Sequence, residues 1–382
     1  MTLTRRKTLT LLGGGCVLAA GSATAYSVTR TPQTALVPWA VAGRYDEQRM
    51  RALSYAILAP NPHNRQPWQV DLRKEGEVTL RVDRTRLLPH TDPFSRQIVV
   101  GLGCFLELMT LAAAQDGYGI ALDLFPDGED PKALTEGRVA VARFVPGAAE
   151  PDAGLFAHTM ARQSLKEPYD TTRPGAGTVL DRIASAVTRG SAIDSSNDPE
   201  QVAALRLLTV RAFEIEFETP RTYKESVDLF RIGHREVDAN PDGIDFTGPT
   251  FETLRMAGLF SREAALDRNG MSYRQGLSQI TETAMTGMAY VWLTTADNTR
   301  AAQITAGRDW LRLNLATTAA GLGMQPMSQA LQEFPEMTGP YQEAQQMLAP
   351  GGGTVQMLGR LGYGTPVPHS PRWPLESKIV HA

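Results

Sequence analysis

One long apolar segment, residues 98–114, constrains the fold of this chain more than any other feature. It is rich in leucine, glycine and alanine, so a helix formed by these residues must be buried on most of its sides. A second helical pattern covers residues 298–322. The first segment runs into Gly-Tyr-Gly at 117–119, and the second ends at Gly-Leu-Gly at 321–323. This parallel predicts two related halves, each of which pairs an apolar helix with strands.

The rest of the chain supports the α+β class, because no regular β-α-β alternation appears in it. A polar segment rich in glycine and proline, residues 146–152, predicts a linker between a first half at 44–145 and a second half at 151–376. Residues 240–249 predict a surface loop, and residues 240–260 a lid. Further helices are predicted at 44–59, 179–187 and 199–218, and strands at 68–72, 78–82, 120–125, 139–145, 289–294 and 354–358.

Composition and charge narrow the classes of ligand. The chain has 382 residues, 42% of them hydrophobic and 21% charged, as in a soluble globular protein. A formal net charge of -3 and a pI near 6.1 give no electrostatic basis for binding nucleic acid. The sequence therefore predicts a small-molecule substrate and no nucleic-acid partner.

The N-terminus, residues 1–25, has the pattern of a signal peptide of the twin-arginine type. Arg5 and Arg6 precede an apolar run at 9–20, which is shorter than the roughly 20 residues that span a bilayer. We expect export to the periplasm or cell envelope by the twin-arginine pathway, with Sec export as the rival. Cleavage after Ala25 would leave Cys104 as the one cysteine, and its apolar surroundings predict a core residue.

Common catalytic motifs are absent from the sequence. It contains no H-E-x-x-H, no Walker A loop, no G-x-S-x-G and no cluster of cysteine and histidine. We therefore expect no metal site. The glycine pairs at 101–103 and 321–323 lack the strand-turn-helix setting of a dinucleotide fingerprint, so they indicate close packing of the chain.

The stretch A-P-N-P-H-N-R-Q-P-W, residues 59–68, is the most distinctive motif. Its two prolines end the preceding helix and favour a stiff loop. The side-chain amides of Asn61, Asn64 and Gln66 can donate and accept hydrogen bonds at once, which suits the edge of a flavin ring. A capping turn with incidental amides is the alternative that these residues alone leave open.

This stretch closely resembles the A-P-S-x-x-N-x-Q-P-W segment of the FMN-dependent nitroreductases, which contacts the flavin across a dimer interface. D-R-T-R at 83–86, D-P-F-S-R at 92–96 and G-L-G-C at 101–104 are similar to sequences of the Acg-type subgroup, in which two halves are fused. The resemblance covers most of residues 44–376. It implies a nitroreductase-like pseudo-dimer in one chain, with mainly antiparallel sheets flanked by helices.

The resemblance also implies a set of cofactor-binding residues. R-Q-S-L-K at 162–166 fits the family's phosphate-binding signature, and Arg372 lies where a second phosphate ligand is expected. Gly321 and Gly323 belong to a segment that passes near the flavin ring in relatives. The complete set of expected FMN contacts is Asn61, His63, Asn64, Arg65, Gln66, Trp68, Arg162, Ser164, Lys166, Gly321, Gly323 and Arg372.

The two halves carry complementary parts of such a site, since the first has Q-P-W and the second has the basic residues. We therefore expect a single FMN between the halves and a protein that is a monomer or a homodimer. Lys166 is expected to stabilise the reduced flavin near N1 and O2, with Arg65 as the alternative.

The implied reaction is two-electron reduction of nitroaromatics, quinones or similar acceptors, in which no amino acid is an obligatory acid or base. An exported protein would need a quinol or a partner reductase as electron donor. Sequestration of FMN without catalysis is the rival function, and fragmentation of the flavin is a weaker one.

Overall fold

The computed structural model describes residues 30–174 and 177–381, so the expected signal peptide lies outside the described residues. The helices of this part of the chain are α1 (Val37–Val41), α2 (Gln48–Ala56), α3 (Arg96–Gln115), α4 (Ala153–Phe156), α5 (Gly177–Ala184), α6 (Pro199–Glu218), α7 (Pro220–Asp228), α8 (His234–Ala239), α9 (Pro249–Met256), α10 (Arg262–Leu266), α11 (Met271–Ala284), α12 (Arg300–Ala319) and α13 (Thr338–Leu348).

The strands form two larger sheets and one small one. They are β1 (Trp68–Asp71), β2 (Glu77–Val82), β3 (Tyr118–Leu124), β4 (Ala140–Pro146), β5 (Ala192–Ser196), β6 (Phe230–Ile232), β7 (Ile244–Phe246), β8 (Ala289–Thr295), β9 (Gly323–Pro326), β10 (Thr354–Gly362) and β11 (Ile379–His381). The first sheet has the order β11-β1-β2-β4-β3 and the second the order β5-β8-β10-β9. Neighbouring strands are antiparallel except in the pairs β1–β11 and β6–β7.

The two larger sheets repeat one arrangement. In the first half the elements α2, β1, β2, α3, β3 and β4 follow in that order, and in the second half α5, β5, β8, α12, β9 and β10 do the same. Corresponding strands occupy corresponding places, because β1-β2-β4-β3 matches β5-β8-β10-β9. The expected α+β class and its two related halves are therefore confirmed.

Helix α3 is the centre of the core, as its composition predicts. It is long and apolar enough to cross a membrane, yet 89% of its most apolar window is buried in the protein. It packs along α12, the corresponding helix of the second half. Cys104 lies in this contact with 1% of its surface exposed, and its Sγ donates to the Gly307 carbonyl at 3.1 Å. Burial raises the pKa of the Cys104 thiol to about 12, which confirms a core residue.

A large insertion separates β5 from β8, where the first half has only a short turn between β1 and β2. We call residues 219–273 of this insertion the cap. The cap has a small apolar core of its own, formed by Tyr223, Val227, Ala265 and Tyr273. The stretch expected to be a loop and lid contains strand β7 and helix α9, because Phe246, Phe251 and Phe260 pack together there.

The end of the chain returns to the first half. Strand β11 pairs in parallel with β1, and the Arg372 N–H donates to the Ala35 carbonyl at 2.9 Å. β11 thus joins the first half, and Ala35 contacts Arg372, although residues 34–41 and β11 lie outside the ranges 44–145 and 151–376. We call residues 363–381 the tail.

Candidate functional site

The loop that carries the A-P-N-P-H-N-R-Q-P-W motif has an unusual backbone. After α2 ends, residues Pro62–Asn64 form a single 3-10 turn. His63, Asn64 and Gln66 have φ values of 47°, 49° and 49°, in the left-handed region. This region costs a non-glycine residue about 1 kcal/mol or more, so contacts elsewhere must hold the loop in shape.

Gln66 provides several of those contacts. Its side chain is completely buried, with Nε2 donating to the Pro241 carbonyl at 2.6 Å and Oε1 accepting from the Trp373 N–H at 2.9 Å. Its own carbonyl accepts from Lys378 Nζ at 2.8 Å. Gln66 therefore joins the loop to the cap and the tail, and both groups of its amide bind protein atoms.

Asn61 and Asn64 also bind protein groups. Asn61 Oδ1 accepts from the Gln66 N–H at 2.7 Å and thereby closes the loop on itself. Asn64 Nδ2 donates to the Pro371 carbonyl at 3.0 Å, and Asn64 Oδ1 accepts from Arg372 Nη1 at 2.9 Å. Asn64 thus orients one of the two arginines expected to bind phosphate.

Two other residues of the motif, Arg65 and Trp68, contact other parts of the first half. Arg65 donates to the carbonyls of Thr85 and Arg86 at 3.0 and 3.1 Å. Trp68 is fully buried, and its ring centroid lies 5.1 Å from that of Phe105. Arg65 therefore stabilises the neighbouring turn, and Trp68 fills the core of the first half.

Arg162 and Arg372 come together from distant parts of the sequence. Arg162 is 4% exposed and Arg372 2% exposed. Nη2 of each donates to the Leu58 carbonyl, at 3.3 Å from Arg162 and 3.0 Å from Arg372. Arg162 Nη1 also donates to Asn314 Oδ1 at 2.9 Å. Among the described residues, neither guanidinium has a carboxylate within ion-pair distance.

Burial and mutual repulsion act on both arginines. Burial lowers the pKa of Arg162 to about 10. The pKa of Arg372 falls to about 9 through burial and the nearby Arg162, and its Nε is buried without a hydrogen-bond partner. Two buried cations that share a carbonyl and lack an acid could hold an anion, because an anion would offset the cost of burying them. The residues present therefore fit a phosphate group such as that of FMN.

His63 and Lys166 are two further basic side chains expected at this site. Burial lowers the pKa of His63 to about 4, with Lys166 and Arg65 adding to the effect. His63 is therefore neutral at pH 7, and its Nδ1 is buried without a partner. Burial also lowers the pKa of Lys166, although its side chain is exposed to solvent.

The remaining expected residues are Ser164, Gly323 and Gly321. Ser164 is half-buried between Arg162 and Lys166, and the neighbouring Leu165 N–H donates to the Met324 carbonyl of β9 at 2.9 Å. A Cβ on Gly323 would lie 2.6 Å from Leu165 Cδ2. Gly321 has φ 72° and ends α12. Both glycines thus serve close packing and a turn, as the motif analysis indicates.

The structure adds residues that the motifs did not indicate. The Leu58 carbonyl and Asn314 hold the arginines, and Asp245 of β7 is the acid that opposes the lowering of the Lys166 pKa. Every residue has a backbone carbonyl, so the sequence cannot indicate which carbonyl accepts hydrogen bonds from the arginines. Asp245 lies in the stretch predicted to be a loop and lid, and this prediction was the sequence signal that could have indicated it.

Comparison with known proteins identifies relatives. No protein-family model matches the chain. Over 94 residues, 25% of this chain, it is 33% identical to "Putative NAD(P)H nitroreductase acg" of Mycobacterium tuberculosis, and this match covers 28% of that protein's length. A second match, 27% identical over 338 residues, covers 86% of this chain and 89% of "Putative NAD(P)H nitroreductase Rv3131" of the same organism. The chain is therefore similar to proteins named as putative NAD(P)H nitroreductases.

The resemblance seen in the sequence is thereby confirmed, and the match over 86% of the chain includes both halves. A crystal structure of a putative nitroreductase from Anabaena variabilis aligns with 83% of this chain and 88% of its own, at 13% identity and a TM-score of 0.35. A score of that size is too low to compare the two folds in detail.

Proposed function

We propose that the protein binds one FMN between its halves and transfers two electrons to nitroaromatics, quinones or similar acceptors. The observation that carries this proposal is the pair of buried arginines, Arg162 and Arg372, which share the Leu58 carbonyl and lack an acid. A phosphate between them would accept charge-assisted hydrogen bonds from groups that are already oriented. The relatives named as NAD(P)H nitroreductases support the choice of a flavin.

A single FMN per chain follows from the difference between the halves. The loop after α5 corresponds to the motif loop after α2, yet the N–H groups of Thr188, Arg189 and Ser191 in it donate to Asp309 at 2.8 to 2.9 Å. Glu107 lies close by and forms ion pairs with Arg189 and other arginines. The cations here are neutralised, so this second location lacks the features of an anion site.

The chemistry of such a site belongs to the flavin, which accepts two electrons and passes them on. The chain would orient it through Arg162 and Arg372 and would place the Lys166 ammonium near the charge of the reduced ring. A nitro group that takes up two electrons and two protons becomes a nitroso group and releases water. Asn64 would keep Arg372 in position throughout.

The electron donor depends on where the protein works. The relatives' names specify NAD(P)H. If the twin-arginine segment at 1–25 directs export to the periplasm, as we propose, a quinol or a partner reductase would replace the nicotinamide. The choice can be tested on the purified protein by supplying each donor in turn.

The first experiment is a visible spectrum of the purified protein, with mass identification of the compound that heat releases. We expect FMN at about one per chain. Arg372→Gln should weaken FMN binding by about 100-fold and leave riboflavin, which lacks the phosphate, unaffected. Arg143→Gln, an exposed arginine of β4, is the matched control. A colourless protein that cannot be reconstituted would overturn the proposal.

Sequestration of FMN is the second candidate, and one observation favours it. The cap is hydrogen-bonded onto the motif loop through Pro241 and through the Gly243 N–H, which donates to the Asn64 carbonyl at 3.3 Å. A cap held in this way would restrict access to a bound flavin. Turnover of a nitroaromatic with any donor supports the enzyme, whereas FMN that no donor reduces supports storage.

A further inference from the structure

A short part of the tail, residues 367–372, is held beside the arginine pair at both of its ends. Gln163, which follows Arg162, bonds to the main chain of Val367 in both directions. Its Nε2 donates to the Val367 carbonyl, and its Oε1 accepts from the Val367 N–H at 3.0 Å. At the other end, Arg372 shares a carbonyl acceptor with Arg162. The residues between these two ends therefore lie close to the proposed phosphate site.

One aromatic side chain, Trp39 of α1, contacts both His369 and Arg372. The rings of Trp39 and His369 are stacked, with centroids 4.0 Å apart and 9° between their planes. The guanidinium carbon of Arg372 lies 5.6 Å from the centroid of the Trp39 ring, which is within the range of a cation-π contact. Trp39 Nε1 also donates to the Ser370 carbonyl at 2.9 Å, and the Ser370 hydroxyl accepts from Arg372 Nη1 at 2.7 Å. His369 and Arg372 are therefore fixed relative to each other.

His369 has a hydrogen-bonding atom to which no group in the described part of the chain bonds. Its side chain is half-buried, and its Nδ1 is buried without a partner. Arg372 Nε, on the same stretch of the tail, is a second such atom. Most buried polar atoms have a partner, so two exceptions beside a proposed ligand site need a cause. Burial lowers the pKa of His369, and the charges of Arg162 and Arg372 lower it further, so the ring is neutral at pH 7.

We propose that His369 is a further phosphate-binding residue, which donates a hydrogen bond from its Nδ1–H to the phosphate held by Arg162 and Arg372. This inference rests on the proposed function. A phosphate group has three terminal oxygens, so it can accept from two guanidinium groups and an imidazole at once. A neutral imidazole adds this donor without burying a third positive charge, and its single proton can lie on Nδ1. Trp39 is then a positioning residue, because its stacked ring holds the imidazole in place.

The test separates the hydrogen bond from the stacking. His369→Phe keeps a ring on Trp39 and removes the donor, whereas His369→Asn removes the ring and keeps a donor at about the position of Nδ1. Dissociation constants for FMN and for riboflavin, which lacks the phosphate, are measured with the full-length protein after its flavin has been removed. His369→Phe should weaken FMN binding by about 10-fold, the effect of one hydrogen bond to a charged group, and leave riboflavin unchanged. His369→Asn should stay within about threefold of the wild type, since it loses only the stacking.

A further variant keeps the test decisive if His369→Phe fails to fold. His369→Leu has the shape of His369→Asn without its donor, so it should bind FMN about 10-fold more weakly than His369→Asn does. His90→Phe is the matched control, because it changes an exposed histidine of the first half. It should change neither dissociation constant.

The outcomes distinguish this inference from the proposed function. A wild-type protein that binds neither FMN nor riboflavin contradicts the proposed function itself. If the wild type binds FMN and His369→Phe binds it equally well, only the role of His369 is contradicted. The same holds if His369→Phe weakens riboflavin as much as FMN, or if His369→Leu binds FMN as tightly as His369→Asn, because His369 would then serve packing alone.

Discussion

Gly103 of α3 and Gly307 of α12 face each other where the two central helices cross. A Cβ added to either glycine would lie 2.9 Å from the Cα of the other. The relationship is reciprocal, because a Cβ on Gly103 would also collide with the Ile304 carbonyl and one on Gly307 with the Val100 carbonyl. The crossing therefore marks the approximate twofold axis between the halves and depends on two residues without side chains.

Replacing Gly103 tests this crossing. Gly103→Ala should lower the free energy of unfolding by about 3 kcal/mol, because backbone atoms of α12 cannot move aside as a side chain would. Urea denaturation measures the change. Gly276→Ala in α11 is the control, since a Cβ there meets nothing within 4 Å. It should raise stability by about 0.5–1 kcal/mol through helix propensity. Equal effects of the two changes would contradict the close approach.

Arg162 should behave as a functional cation and Arg96 as a structural one. Arg96 is 1% exposed and donates to the carbonyls of Gln356 and Leu331 at 2.6 Å, with Glu333 at 3.3 Å. Arg96→Met should therefore lower the unfolding free energy by about 3 kcal/mol. Arg162→Met should leave the flavin-free protein equally stable or more stable, because it removes a buried charge that lacks an acid.

The second part of this test measures how much added FMN stabilises the wild type and Arg162→Met. A free FMN concentration about 100 times the dissociation constant should stabilise the wild type by about 2.7 kcal/mol, and the same concentration should stabilise Arg162→Met much less. Urea titrations with and without FMN provide both values. An Arg162→Met protein as unstable as Arg96→Met without flavin would assign Arg162 to the fold.

Because of Glu216, we expect the free energy of unfolding to fall as the pH rises. It is 5% exposed on α6 and accepts a hydrogen bond from Gln332 Nε2 at 2.9 Å. Burial raises the pKa of Glu216 from 4.5 to about 7, and the nearby Glu225 adds to the rise. Between these values the folded protein holds a proton that the unfolded chain has released, so stability falls as pH rises through this window.

Glu216→Gln should remove that loss. At pH 8 the variant should be about 2 kcal/mol more stable than the wild type, and at pH 4 the two should be equal. The unfolding free energy as a function of pH gives the comparison. Glu336→Gln is the control, because Arg221 lowers the pKa of Glu336 to about 2 and its removal gives no gain at pH 8. A pH-independent difference for Glu216→Gln would refute a titrating group.

Asp242 should hold the cap to the first half. It binds Arg86 from the first half and Arg231 from the cap, and it is almost completely buried. Asp242→Asn leaves these arginines without an acid and should lower stability by about 3–5 kcal/mol, with faster proteolysis in the cap. Asp228→Asn breaks only the exposed pair with Lys224 and should cost less than about 1 kcal/mol. Similar proteolysis of both variants would rule out this role.

Much of the fold could be predicted because its longest elements have clear periodic patterns. Helix α6 begins and ends where the pattern placed it, at Pro199 and Glu218, since Asp198 caps its first turn and Pro199 starts it. Strand β5, with the sequence A-I-D-S-S, was missed because it lies at a sheet edge and carries few apolar side chains. The elements of the cap were missed because their core consists of only a few scattered apolar residues.

The site could be predicted only in part, for a different reason. The motif around Gln66 and the cations Arg162 and Arg372 were visible as residue types. Their partners were not, because Gln66 binds Pro241 and Trp373, which lie 175 and 307 positions away. Through these long-range contacts, a side chain that was expected to face a ligand joins the loop to the cap and to the tail. Sequence spacing contains no signal for them.

The position of β11 has a consequence for how this protein is made. Its three residues complete the edge of the first sheet beside β1, and Lys378 just before them binds the Gln66 carbonyl. A ribosome makes these residues after both halves. The first half is therefore synthesised early yet finished late, and a nascent chain that has already formed β1 must wait for residues 378–381 before that edge is covered and the motif loop is held.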